Sequence, residues 1–256
     1  MITIKSAREL ETMAVAGRIL AETLARVVER VEPGVSTEEL DELAEDLVAS
    51  HPGARPSFKG LYDFPKSLCT SINDEIVHGI PSRRRVLREG DILSIDCGVC
   101  LDGLHADSAT TVPVGEVSDE ARRLLDVTRA ALEAGIEAAV LRNHVGDIGH
   151  AVQSVAEGAG FSVVRDLVGH GIGTNFHEEP QIPNFGRPKR GPRLVAGMTL
   201  AIEPMVNAGR PETRTLDDKW TIVTADGSLS AHFEHTVVIA PDGPRILTVV
   251  PAVSTA

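Results

Sequence analysis

GDILSID, Gly90 to Asp96, is the stretch that decides the fold, because it returns in the second half of the chain as GMTLAIE, Gly197 to Glu203. In each copy an acid closes a run whose glycine lies six residues back, and Leu93 with Ile95 matches Leu200 with Ile202. Each copy leads on to a second acid placed two residues after a histidine: His105 to Asp107 in HAD, and His232 to Glu234 in HFE. Strand side chains alternate between faces. Ser94 and Asp96 therefore share one face, Ala201 and Glu203 the equivalent one, and the leucines and isoleucines point into a core behind. If a pseudo-twofold axis relates the halves, four carboxylates converge. Converging acids repel unless cations or protons hold them, and divalent metal ions are the simplest resolution.

Outward from these strands, the bulk properties narrow the class. A chain of 256 residues with 42% hydrophobic side chains has material for a sizeable buried core. A net charge of -12, with no basic tract beyond Arg83 to Arg85, opposes the phosphate neutralisation that nucleic-acid binding requires. The opening MITIKSARELETM has no signal-peptide run, and nowhere do about 18 consecutive apolar residues occur to span a bilayer. No nucleic-acid or membrane partner is expected, and the expected compartment is the cytoplasm. Cys69, Cys97 and Cys100 are too few and odd in number for a disulfide scaffold. CGVC, Cys97 to Cys100, continues a strand rather than opening a helix, so it reads as buried strand thiols instead of a redox motif.

Capping-box patterns at Ser6 with Glu9 and at Ser36 with Glu39 open two amphipathic helices, the first stopped by Pro33 and Gly34, the second by His51 to Gly53. HPGARPSFKG then reads as a loop. From Ser67 to Val112 β-prone runs alternate with turn residues, which implies consecutive antiparallel strands. Ser118 begins a third helix, and Asp147 is the expected cap of a fourth that ends near Gly158 to Gly160. Two helices and a strand run, followed by the same again, predict an α+β protein with helices covering one face of a mainly antiparallel sheet.

Between the repeats lies GHGIGTNFHEEP, Gly169 to Pro180, in which glycines let the backbone approach a ligand closely, so that His170 and His177 read as presented rather than packed. The zinc motif HExxH fails here because Gln181 stands where its second histidine belongs. Four carboxylates with one histidine form an oxygen-rich donor set that suits manganese, iron(II) or cobalt as well as zinc. Two such ions sharing a water imply metal-assisted hydrolysis. No nucleophile elbow, Walker loop or dinucleotide fingerprint offers a competing chemistry. His105 and His232 lie two residues from their acids, roughly 6 to 7 Å along a strand, and so read as supports of the ligands.

Five blocks in order, SINDEIVHGIP, GDILSIDCGV, HADSATT, GHGIGTNFHEEP, and LAIEPMV with HFEHT, closely resemble the methionine aminopeptidases of type I. The resemblance covers nearly the whole chain. It implies the pita-bread (creatinase/aminopeptidase-like) fold, one catalytic domain over 1–256 with pseudo-repeat halves near 60–115 and 165–245. By resemblance, Asp107 and Glu234 bridge two divalent ions, Asp96 chelates one, and His170 with Glu203 completes the other. Glu203 is the implied proton shuttle, while His177 and His78 contact the scissile amide. The family's methionine pocket maps onto Phe58, Leu61, Phe64, Cys69, Phe176 and Trp220. Tyrosines frequent in the family are absent at Leu61 and Phe64, and Ser94 replaces a frequent asparagine.

The implied activity is removal of an initiator methionine from peptides and nascent chains, at the ribosome where these emerge, by a monomer. One rival is the Xaa-Pro aminopeptidases and prolidases of the same fold, which bring a large N-terminal domain. Here the catalytic pattern begins within about 60 residues, too few for such a domain. The other rival is an inactive binding module on this fold. Retention of every implied ligand, with His78 and His177, argues against it.

Overall fold

The structure is a computed structural model that describes residues 2–250. Met1 and residues 251–256, the two ends of the expected domain range, lie outside the described residues.

Both N-terminal capping boxes form. Helix α1, Ala7–Val28, has Ser6 accepting from the Glu9 N–H while the Glu9 carboxylate accepts from the Ser6 N–H at 2.7 Å. In α2, Thr37–Ala49, Ser36 and Glu39 repeat the arrangement at 2.8 Å. Each reciprocal pair satisfies two amide groups that a helix N-terminus otherwise leaves without partners. The segment read as a loop contains a short strand, β1, Ala54–Pro56. It is held at the edge of a sheet by backbone pairing, and a Pro in the last of its three positions left little β signal to read.

The strand run follows as β2, Leu68–Ile72, β3, Glu75–Val77, β4, Ile92–Leu101, and β5, Leu104–Pro113. Strands β4 and β5 form a continuous antiparallel hairpin, ten residues each, turning at Asp102 and Gly103, both in the left-handed region that a tight turn requires. Asp96 therefore does not end its strand. The ladder carries it on through Cys97 to Leu101, because the glycine at 98 and the branched and small side chains after it remain compatible with pairing to β5.

Helix α3, Asp119–Ala138, is capped by Ser118 as expected. Helix α4, Val145–Gly158, starts one turn earlier than expected, with His144 as the cap and Asp147 inside the first turn, where its carboxylate accepts from the His144 N–H at 2.7 Å. The acid signal belongs to the third helical position of a capping box.

The second strand run comprises β6, Ser162–Val163, β7, Val168–Gly171, β8, Glu178–Pro183, β9, Thr199–Ile202, and β10, Met205–Asn207. It continues with β11, Thr213–Thr215, β12, Ile222–Thr224, β13, Ser230–His232, β14, His235–Ala240, and β15, Gly243–Ile246. All strand pairings among the described residues are antiparallel.

The alternation read from the repeated stretch governs the packing. Leu93, Ile95, Cys97 and Val99 enter a core with Leu20, Leu24 and Val27 of α1 and Leu40, Ala44 and Val48 of α2. Leu200 and Ile202 enter a separate core with Leu124 and Leu132 of α3 and Ile148 and Val152 of α4. Each helix pair thus seals the apolar face of one half and leaves the acidic face free to meet its counterpart. At roughly 25 cal/mol per Å² of apolar surface removed from water, these two cores are the main favourable term holding the acids in place.

Candidate active site

The halves meet along a polar seam. The Asp107 N–H donates to Thr236 Oγ1, and the same hydroxyl donates back to the Asp107 carbonyl, both at 2.8 Å. Thr111 does the same to His232, accepting from its N–H and donating to its carbonyl, again at 2.8 Å. Since the single hydroxyl hydrogen of Thr111 is committed to His232, the 2.8 Å contact with Ser94 has Ser94 as donor. Two further bonds complete the seam, from the Glu234 N–H to the Ala109 carbonyl at 2.9 Å and from Ser108 Oγ to the Glu234 carbonyl at 2.7 Å. Backbones carrying Asp107 and Glu234 are in this way pinned side by side.

In front of the seam lies a cavity of about 280 Å³. The residues that the sequence reading named as ligands, amide contacts and pocket wall all line it: Asp96, Asp107, His170, Glu203 and Glu234 at the floor, His78 and His177 beside them, and the apolar set around Phe58. Ligand atoms of Asp107, His170 and Glu234 lie within 4.8 Å of one another. Asp96 and Glu203 stand outside that tightest group. Glu203 Oε1 is 3.6 Å from His170 Nε2, and Asp96 stands opposite Ala109, two residues along β5 from Asp107 and on the same face.

Electrostatics explain why this arrangement needs cations. Burial pushes Asp96 up to about 7. Burial, with the neighbouring carboxylates, raises Asp107, Glu203 and Glu234 well above the usual range. Asp96 Oδ1, Asp107 Oδ1 and Glu234 Oε1 are buried and accept no hydrogen bond. Orphaned acceptors of this kind are costly unless something positive meets them. His170 adds the same message. Its Nδ1 lies 2.8 Å from the Gly171 carbonyl, which can only accept, so Nδ1 carries the hydrogen and Nε2 presents a lone pair toward Asp107 and Glu203. Burial lowers its pKa to about 3, so it stays neutral. An oxygen-rich set with one neutral imidazole fits a hard or borderline divalent ion.

The apolar wall is built of edge-to-face aromatics. Phe58 meets Phe176 at 5.3 Å and Phe64 at 6.5 Å, and Phe64 meets Trp220 at 5.0 Å. Asp218 holds the Trp220 turn by accepting from the Trp220 and Thr221 amides. Gly98 sits on the acidic face of β4, where a Cβ would come within 3.0 Å of Ser57, Phe176 and Phe58, so only glycine leaves the wall its shape. Cys69, buried in the wall, and Cys97, in the core behind, are free thiols whose pKa burial raises, which suits packing and not redox exchange. The loop bearing His177 is anchored by a buried ion pair, Lys5 to Glu178 at 2.6 Å, with Glu178 also accepting from the Asn175 amide.

Two residues carry more weight in the structure than the sequence gives them. Tyr62 lines the cavity and lies nearly parallel to His177, with ring centroids 5.8 Å apart. Left-handed backbone at Tyr62 and Asp63 turns its ring over the mouth. A lone tyrosine between Leu61 and Phe64 is the only signal of it in the sequence. His232, read as a support like His105, reaches into the cavity itself, whereas His105 is tied back to Ser57 at 2.8 Å.

Residues 11–241 match metallopeptidase family M24. The chain belongs to that family. It is 55% identical over 250 residues to the methionine aminopeptidase of Clostridium perfringens, covering 98% of this chain and 100% of that protein. The crystal structure of methionine aminopeptidase from Rickettsia prowazekii superposes with a TM-score of 0.95 at 44% identity, over 97% of this chain and 100% of that one. The Xaa-Pro dipeptidase from Bacillus anthracis superposes with a TM-score of 0.77 at 20% identity, and this chain spans 62% of its length. That second likeness is one of fold, the pita-bread architecture that family M24 members share. As a member of a metallopeptidase family the chain is a metal-dependent hydrolase, in keeping with the orphaned acceptors.

Proposed function

We propose that this protein removes the N-terminal methionine from peptides and nascent chains. The observation that carries the reading is one cavity in which a carboxylate-rich metal floor adjoins an apolar aromatic wall. The floor suits an exopeptidase centre, and the wall accepts an unbranched thioether without demanding hydrogen bonds. Absence of the hydroxyls at Leu61 and Phe64 leaves that preference intact.

Asp96, Asp107, His170, Glu203 and Glu234 would hold two divalent ions, with Asp107, His170 and Glu234 supplying the tightest group of donors. When bound, the ions supply a water of lowered pKa and polarise the amide. Glu203 receives the proton at its carboxylate, which faces the neutral Nε2 of His170 across the floor. His78, neutral because burial lowers its pKa to about 4, and His177 steady the oxygen of the tetrahedral intermediate. The free α-amine of the substrate is held at the metal floor, which restricts cleavage to the first peptide bond. The expected setting is a cytoplasmic monomer acting on chains as they leave the ribosome, and among the described residues no helix is long and apolar enough to cross a membrane.

The deciding experiment measures product release from a Met-Xaa peptide series after reconstitution with manganese, cobalt, iron(II) or zinc. Release of methionine before a small second residue such as alanine is expected. Preferential cleavage of Xaa-Pro peptides, or no cleavage with any metal, sinks the proposal.

A further inference from the structure

We propose that His232 is a positioning residue for Glu203, donating its Nε2–H to the carboxylate oxygen that the metal floor does not use; this rests on the function proposed above. The two oxygens of Glu203 face two different imidazoles. Oε1 lies 3.6 Å from His170 Nε2, which bears a lone pair, so these two atoms are complementary to a shared cation and not to each other. Oε2 lies 3.7 Å from His232 Nε2, with Glu234 Oε2 at 4.0 Å on the other side. With no cation between them, a ring nitrogen facing two carboxylate oxygens is attractive when it carries the hydrogen, and, unlike His170, this ring has no carbonyl acceptor that draws the hydrogen to Nδ1.

The ring has no other employment. It is buried to 1% exposure, and neither of its nitrogens has a hydrogen-bond partner. Its backbone is held in place, since Thr111 grips it from both ends and Ser94 in turn fixes Thr111, and the ring is packed on all sides. The serine at 94 thereby becomes the remote end of a chain running Ser94, Thr111, His232, Glu203. A carboxylate that must accept and return a proton needs one fixed orientation, and a donor on the idle oxygen provides it.

Two substitutions and one spectrum test this. His232→Phe keeps the bulk without the donor, and His232→Gln keeps an N–H donor. With His232→Phe, kcat is expected to fall about ten- to a hundredfold, while KM and the calorimetric affinity for manganese stay within about twofold, the pattern of an interaction that matters during turnover. His232→Gln should recover much of the loss. In the zinc-loaded protein, ring ¹⁵N shifts should show His232 as the Nε2–H tautomer, with a resonance that moves in Glu203→Gln. Unchanged kcat in His232→Phe overturns the proposal. So does a collapse of metal affinity, which would make His232 a ligand, or an unprotonated Nε2 in the spectrum. The spectrum does not depend on turnover, so it reads the His232 tautomer whether or not methionine is the substrate.

Discussion

The hairpin β4–β5 and its repeat in the second half hold matching acids on very different backbones. In the first half the strands run unbroken through Asp96 and Asp107. In the second the ladder stops at each ligand: β9 ends before Glu203 and β10 begins after Pro204, while β13 ends at His232 and β14 begins at His235. Pro204 has no N–H to offer a ladder, so the break is written into the sequence. A continuous ladder fixes a side chain direction rigidly, which suits a ligand with one task. The broken half frees Glu203 and Glu234 from the pleat, and there side chains take over the orienting role, Ser108 of the first half on the Glu234 carbonyl and His232 beside Glu203.

The largest test of this contrast sets the equivalent acids Asp96 and Glu203 against each other. Glu203→Gln should lower turnover about 10²- to 10⁴-fold, the range for loss of a proton-transfer group, with no recovery at raised metal concentration. Asp96→Asn should instead recover in part as manganese is raised, because its defect is in holding the ion. Equal losses that recover alike would break the asymmetry.

A middle-sized effect concerns the seam. Thr236→Val and Thr111→Val each strand a buried backbone N–H and carbonyl, at a cost of about 1–3 kcal/mol in urea unfolding. Thr111→Val should additionally lower kcat through the Ser94 chain, and Thr236→Val should weaken metal binding through Asp107. If neither variant loses stability, the halves are not held together as described.

The smallest effect is on pH. Asp96 has a native pKa raised from 3.8 to about 7, so in that interval the folded chain binds more protons than the unfolded one. Stability of chelator-treated protein should therefore be greater at the acid end and fall as pH rises toward 7, the reverse of the usual carboxylate behaviour. Added divalent metal should abolish the slope. A melting temperature of chelated protein that climbs over this range would remove the case for a self-repelling floor.

Local signals are legible in the sequence where the deciding contacts are local. Ser6, Ser36 and Ser118 cap as read, and the face alternation of Leu93, Ile95 and Asp96 fixes which side meets helices and which meets the cavity. Legibility ends where distant side chains decide. That Thr236 clamps Asp107 and Thr111 clamps His232 depends on residues more than a hundred positions apart. The reach of His232 into the cavity, unlike His105, follows from those clamps. Asp147 lies one turn away from the cap position expected of it, because an acid at the cap and an acid inside a capping box leave the same mark in a single sequence.

The aromatic inventory of the chain has one more consequence. Its only tryptophan, Trp220, and its only tyrosine, Tyr62, both line the cavity, one in the wall and one at the mouth. All the indole fluorescence and all the phenol absorbance of this protein therefore originate where substrate would sit. Unlabelled protein carries its own optical gauge of occupancy, free of background from any other tryptophan or tyrosine.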